Sequence, residues 1–220
     1  MWINDAPLSD YGGELRMEYK ASGYTLETSV FKGRKRSSFV LLNNIVGFQT
    51  LTLSVVFEGK DRDDVTLKKS MFDMLAFGKN ELIMDDGFLY TVYLSNIGDA
   101  TYPAPELIEV DYTFVGVRHG PKVVAVGNTI NCESTLPNTD CILSVTVGKT
   151  EVNYRVGTVM FPQVTQGEQL TVDGINKRIL VNNVPAADRA DWITFPSLVP
   201  GINLLQCDDI LTVEFFPVFF

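Results

Sequence analysis

Short stretches in which apolar and polar residues alternate, each cut off by a turn, dominate the chain. Residues 24–31 (YTLETSVF) and 48–57 (FQTLTLSVVF) are rich in Thr, Val, Leu and Phe and end at glycine-containing or charged turns. That composition and period predict strands. Asp85-Asp86-Gly87 stands between ELIM and FLYTVYL, and an Asp-Gly pair flanked by apolar runs signals a hairpin. Residues 107–117 (LIEVDYTFVGV) predict another long strand. One segment departs from period two. Over residues 64–78, Leu67, Met71, Met74, Leu75 and Gly78 recur at helical spacing, with Lys68, Lys69 and Asp73 on the other side. The spacing predicts a helix whose Leu and Met stripe packs on a sheet, capped by Asp63, Asp64 or Thr66 and ended by Gly78 in a left-handed conformation.

Arg118-His119-Gly120-Pro121 then punctuates the pattern and suits a domain boundary. The expected organisation is a first domain over residues 1–118, a linker at 119–121 and a second domain over 122–220. In the second half, residues 141–147 and 150–156 are joined by Gly148-Lys149, and 169–173 and 177–181 by Gly174-Ile175-Asn176. Such closely spaced strands predict a two-sheet sandwich or jelly roll. Near the chain end Pro200-Gly201 interrupts an apolar run; Pro presets the first central position of a type II turn and Gly accepts the positive φ of the second. The turn should feed a closing hairpin of residues 202–206 and 210–216, with Leu211, Val213 and Phe215 on one face. The fold class is therefore mainly β: an N-terminal α+β domain with one helix, followed by a C-terminal β-sandwich.

Of the 220 residues, 45% are hydrophobic and 20% charged, which suits a chain that buries a core. The net charge is −9, with acidic residues in excess in both halves. That balance argues against gripping a phosphate backbone, which needs clustered Lys and Arg. MWINDAPLSD lacks the pattern of a secretory signal, and no apolar run approaches membrane-span length. Cys132, Cys141 and Cys207 have no zinc-like spacing and are expected to be free thiols in a reducing compartment.

Catalytic chemistry finds little support. His119 is the one histidine, so no Ser-His-Asp, Cys-His or His-rich metal set can be assembled, and in a polar linker it is expected to be solvated. No phosphate loop or dinucleotide fingerprint is present. Asp63-Asp64, Asp85-Asp86 and Asp208-Asp209 are carboxylate pairs, but each falls at a turn or helix start, where Asp serves the backbone. The expectation is a non-enzymatic protein with no cofactor and no metal. Lys32, Arg34, Lys35 and Arg36 form the single basic cluster, either a solvated hairpin tip or a contact for an acidic face of a neighbouring subunit. Trp192, Tyr154 and Phe195 could stack on sugars or fill the core, which leaves Trp192 as a weak glycan candidate.

Taken in order, these features resemble the distal tail proteins of long-tailed bacteriophages. The resemblance rests on WINDAPLSDYGGEL, the KGRKRS segment, FQTLTLSVVFEG with the helix after it, ELIMDDGFLYTVYLSNI and IEVDYTFVG in the first half. In the second it rests on LTVDGINKRILVNNV followed by ITFPSLVPGINLLQ. It implies a galectin-like sandwich in which Pro200, Gly201 and Asn203 form a structural corner. It also implies a homo-oligomer, commonly a hexameric ring, at the tail tip of a virion made in the host bacterial cytoplasm. The partners so implied are the tail-tube protein, tail-associated hub proteins and receptor-binding proteins. DNA would pass through the channel without specific binding, and no membrane anchor is implied. The rival expectations are a tail-tube or baseplate adaptor and a carbohydrate-binding module.

Overall fold

A computed structural model describes residues 1–16, 19–32, 39–85 and 87–220, with backbone only at 28, 30–32 and 39–44. The chain divides into two compact units, residues 1–119 with Phe220, and residues 120–219.

The first unit opens with β1 (Trp2–Ile3), β2 (Ala6–Pro7), a 3-10 turn at Leu8–Tyr11, β3 (Gly13–Leu15) and β4 (Lys20–Ala21). It continues through β5 (Leu26–Lys32), β6 (Phe39–Val46), β7 (Gln49–Glu58), α1 (Arg62–Ala76), β8 (Lys79–Ile83), β9 (Leu89–Ile97), β10 (Thr101–Ala104) and β11 (Leu107–His119). The main sheet runs β2-β1-β8-β9-β11-β7-β3, with β10 on β11 and β4 on β7, while β5 and β6 form a separate ribbon. Strict alternation builds the core. Leu51, Leu53, Val55 and Phe57 of β7 are buried, as are Ile108, Val110, Tyr112 and Phe114 of β11. Gly116 continues that row where β9 approaches so closely that a Cβ would stand 2.1 Å from the Thr91 carbonyl oxygen.

Two expectations for the helix are corrected. The cap is Asp61, whose carboxylate accepts the N–H groups of Asp63 at 3.0 Å and Asp64 at 2.9 Å. Asp64 instead accepts the Lys60 N–H and pairs with Lys68 one turn on. The buried face is Val65, Phe72 and Ala76, with Leu75 of the expected stripe partly buried against the same core, whereas Leu67, Met71 and Met74 point to solvent. Phe72 decides the rotation, because its ring lies 5.5 Å from that of Phe57 and 5.1 Å from that of Tyr112. Asp73 can then turn inward because the Tyr112 hydroxyl donates to it at 2.6 Å while Lys69 pairs with it. Burial, and then that carboxylate, push the Tyr112 phenol up. The helix ends as the sequence suggests, with Gly78 at φ +98°. The buried Asn80 side chain donates to the carbonyls of Ala76 and Gly78, groups that a helix end leaves open.

His119 is buried, a correction to its solvated expectation. It is the last residue of β11, paired in register with Leu89. Its Nε2 lies 3.1 Å from the Thr91 hydroxyl and 3.2 Å from Glu81, so β11 outruns the apolar stretch that marked it in the sequence.

The second unit comprises β12 (Val123–Val126), β13 (Thr129–Cys132), β14 (Thr139–Thr146), β15 (Glu151–Val156), β16 (Val159–Val164) and β17 (Gln169–Asp173). It ends with β18 (Arg178–Val181), β19 (Val184–Pro185), β20 (Ser197–Leu198), β21 (Gly201–Leu204) and β22 (Thr212–Phe215). The sheet β12-β22-β14-β17-β18-β19 carries β20 on β14, and β13–β21 and β15–β16 are ribbons. Main sheet and ribbons share one core that includes Cys132, Leu143, Tyr154, Phe161, Val172 and Phe215. The result is a galectin-like β-sandwich, and the chain as a whole is mainly β with a single α-helix among the described residues. Tyr154 belongs to the core rather than to any sugar-facing surface. Its hydroxyl donates to Asp209 at 2.7 Å.

The closing hairpin is also corrected. β21 pairs with β13, whereas β22 pairs with β12 and β14, so the chain changes sheets between them. The Asn128 side chain makes the crossing possible by donating to the carbonyls of Cys207 and Asp209 and accepting the Leu211 N–H. The thiols are free, with Cys132 and Cys141 buried. Burial first, then nearby Asp140, pushes Cys141 up to about 12.

The turn from β17 to β18 is held by Asp173, which accepts the N–H groups of Ile175 and Asn176, the Asn176 amide and Arg178 Nε. Burial opposes its ionisation, but the bonds from Asn176 and Arg178 outweigh it and hold the carboxyl below its ordinary range. A depressed carboxyl stabilises the fold above its unfolded pKa and loses that contribution as pH falls through the folded value. The second unit should therefore weaken as pH drops below about 4. Asp173→Ala should cost about 1.5–3 kcal/mol at neutral pH in urea unfolding and flatten the acid limb. In the first unit, Gly116→Ala should cost about 1–3 kcal/mol, read by the same method.

Candidate functional site

The outward face of α1 is the most unusual surface of the first unit. Leu67 is 60% exposed, Met71 51%, Met74 79% and Phe77 84%. They follow one another at spacings of four, three and three, which stacks them on one side of the helix. Thr66 and Ser70 lie between them, Asp63 stands at the N-terminal end, and the Asp64–Lys68 ion pair borders the row on its other edge. A single exposed Leu is ordinary, but a contiguous row of four large apolar residues marks an interaction surface. Further exposed apolar residues lie at the base of the β5–β6 ribbon, Leu26 opposite Val46 on one face and Ile45 opposite Glu27 on the other. Phe48, also exposed, packs edge-on against Tyr93 beside it.

The solvent side of the main sheet is hydroxyl-rich. Thr52 stands opposite Thr113, and Ser54 opposite Asp111, across β7 and β11. Ser54 donates to Asp111, and Arg16 pairs with Glu109. On this face Glu14, Glu109 and Asp111 outnumber Arg16 and Lys20. The arrangement offers hydrogen bonds and a mildly negative field, with no cluster of free cations.

The residues singled out from the sequence fall in separate places. Lys32 closes β5, and Arg34, Lys35 and Arg36 lie outside the described residues. Pro200, Gly201 and Asn203 do come together as a corner. Gly201 has φ +89°, and Asn203 accepts the Val199 N–H while donating to the carbonyls of Val199 and Gly201. Trp192 is half-exposed and packs on Phe195, ring centroids 4.8 Å apart. In two of the acidic pairs one carboxylate, Asp64 or Asp209, accepts a backbone N–H, while Asp85 pairs with the N-terminal ammonium. Asp63-Asp64 opens α1, and Asp209 accepts the Gly148 N–H and the Tyr154 hydroxyl, which hold its carboxyl low. Asp86 lies outside the described residues.

Sequence reasoning missed the exposed helix face because it took the Leu and Met stripe for the core side. The signal was present. The same helix carries a second apolar row, Val65, Phe72 and Ala76, so one of the two rows had to face outward.

The sequence matches no protein-family model and no curated protein. The fold does have relatives. The Dit protein of phage SPP1, described as a paradigm of the hub adsorption apparatus in phages infecting Gram-positive bacteria, superposes with a TM-score of 0.73 at 14% identity, covering 99% of this chain and 98% of that one. This chain has the fold of a phage tail hub protein. A chain of the phage P2 baseplate in its activated conformation aligns with a TM-score of 0.53 at 8% identity, over 96% of this chain and 92% of that one. The fold thus extends across both units at a level of identity where no individual side chain is shared by default.

The Asn203 corner yields a direct test. Asn203→Ala removes three hydrogen bonds and should cost about 1–2 kcal/mol in chemical unfolding. Asn203→Asp, which keeps the acceptor for the Val199 N–H but loses both donors, should fall between the two.

Proposed function

We propose that the chain is a structural subunit of a phage tail hub, a virion component without catalytic activity that assembles as a hexameric ring between tail tube and host-recognition device. The single observation that carries this reading is the exposed apolar row Leu67, Met71, Met74 and Phe77 on a chain whose fold follows that of a hub protein from end to end. A closed ring needs two different surfaces on each copy that fit one another, a heterologous contact. The first unit offers two: the outward row of α1, and the exposed Leu26 and Phe48 at the base of the β5–β6 ribbon. In the proposed ring, the row of one copy meets the ribbon base of the next. The basic segment at Lys32, Arg34, Lys35 and Arg36 adds a salt-dependent contact with the acidic surface of a neighbour. The hydroxyl-rich side of the main sheet is the surface best suited to face a central channel, because Glu14, Glu109 and Asp111 outnumber Arg16 and Lys20 there and Arg16 is already paired with Glu109, so a phosphate backbone meets a net negative field.

Native mass spectrometry and electron microscopy over a concentration series test the reading. Closed rings are expected for the unmodified chain. Met71→Asp with Met74→Asp should yield monomers with an unchanged unfolding midpoint, since both side chains lie outside the core. An unmodified chain that stays monomeric at high concentration and fails to join tail tubes would remove the proposal, and rings that survive the double substitution would move the contact away from α1.

A further inference from the structure

The second unit carries a cleft of about 510 Å³ lined by residues of β15, β16 and the segment that follows the 3-10 turn at Ala187–Arg189. Its volume falls within the usual range for small-ligand sites. Three of its side chains are set by backbone register. Arg155 of β15 lies directly opposite Met160 of β16, and Met160 is bridged on its other side to Asp191. Directly opposed residues project on the same face, so Arg155 and Asp191 flank the Met160 side chain, one strand spacing to either side.

The segment after Asp191 is fastened at both ends. Asp191 and Met160 exchange two backbone hydrogen bonds, at 2.7 and 2.9 Å. The Thr158 hydroxyl donates to the Thr194 carbonyl at 2.8 Å. Between these ties the chain holds Trp192 45% exposed and Ile193 94% exposed, with Phe195 propping the indole. Two large apolar side chains are thus kept in water by a short, tethered loop beside a cation and an anion. Arg155 donates to Gln206 through Nη1, which leaves most of its five donors open. No hydrogen bond or ion pair engages the Asp191 carboxylate among the described residues.

We infer that this cleft is a saccharide-binding site. A pyranose ring has one face of C–H groups and a rim of hydroxyls that each donate and accept. Trp192 supplies the flat apolar surface, Arg155 the donors and Asp191 the acceptors, in an open cleft that exposes both kinds of group at once. The loop is preorganised by its two ties, so binding needs little ordering. The ligand class is a pyranose oligosaccharide entering along Trp192, with Ile193 at the rim. The site lies wholly in the second unit and does not rest on ring assembly.

The chain has two tryptophans, so Trp2→Phe leaves Trp192 as the sole indole reporter. Titrating that full-length variant with chitohexaose, maltohexaose and a peptidoglycan muropeptide should give a saturable shift in emission with at least one of them. Arg155→Ala and Asp191→Ala should each weaken binding at least tenfold without changing the unfolding midpoint. Calorimetry on Trp192→Ala should show no heat of binding to that sugar. The inference is overturned if none of the three probes produces a saturable shift, or if binding persists in both single variants. An emission shift that follows protein concentration alone, without sugar, would give the loop to a protein partner and overturn it equally.

Discussion

The ring of Phe72, set between Phe57 and Tyr112, fixes the rotation of α1, and that rotation decides what the first unit shows to a partner. Two apolar rows compete for the sheet. The row with Phe72 wins because an aromatic side chain buries more surface than a Met and finds two further rings, Tyr112 edge-on and Phe57 tilted. The polar consequence is settled by the same packing. Asp73 comes to lie beside Tyr112, whose hydroxyl satisfies it, and Lys69 reaches across one turn to neutralise it. With these groups accommodated, nothing draws the Leu67, Met71, Met74 row inward, and the helix keeps an apolar outer face. A surface of that kind is costly in an isolated chain, which is the physical reason to read it as the mark of an assembly.

The sheet under the helix solves a complementary problem. Alternation places Leu, Val, Phe and Tyr on the helix side of β7 and β11, and Thr, Ser, Glu and Asp, with Val56, Val115 and Val117 among them, on the other. The two sides of one sheet therefore have opposite properties, a dry core and a hydroxyl-rich, mildly negative surface. Gly116 allows β9 to close against β11 at the one place where a side chain would stand in the way.

Much of this was legible in the sequence where a local signal determines the outcome. Period-two runs marked β7 and β11, the Asp-Gly pair marked the turn between β8 and β9, and Pro200-Gly201 marked the corner before β21. What escaped depended on partners distant in sequence. Val65, Phe72 and Ala76 form as good a helical row as Leu67, Met71 and Met74, and only Phe57 and Tyr112 distinguish them. Residues 202–206 and 210–216 read as a hairpin because a short polar link joins them, yet the Asn128 side chain, far upstream, carries the backbone of that link from one sheet to the other. The burial of His119 depends on Glu81 and Thr91 of neighbouring strands, which a tetrapeptide of polar residues gives no means to see. The cleft beside Trp192 depends on a register, Arg155 to Met160 to Asp191, that no single segment encodes.

The acidic and amide side chains follow one rule that bears on function. Asp61 caps a helix, Asp173 closes a turn, Asn128 and Asp209 tie a crossing, and Asn203 braces a corner, each by occupying backbone groups that the chain's changes of direction leave unpaired. A carboxylate committed in this way has little freedom to move a proton in a reaction, so the abundance of Asp in this chain supports architecture rather than chemistry. Asp191 is placed differently: its backbone is bridged to Met160 while its side chain is left facing open solvent beside Arg155 and an exposed indole. A carboxylate set by backbone register next to a cation and an exposed ring, and not committed to a turn or a cap, sits in a position that calls for a ligand.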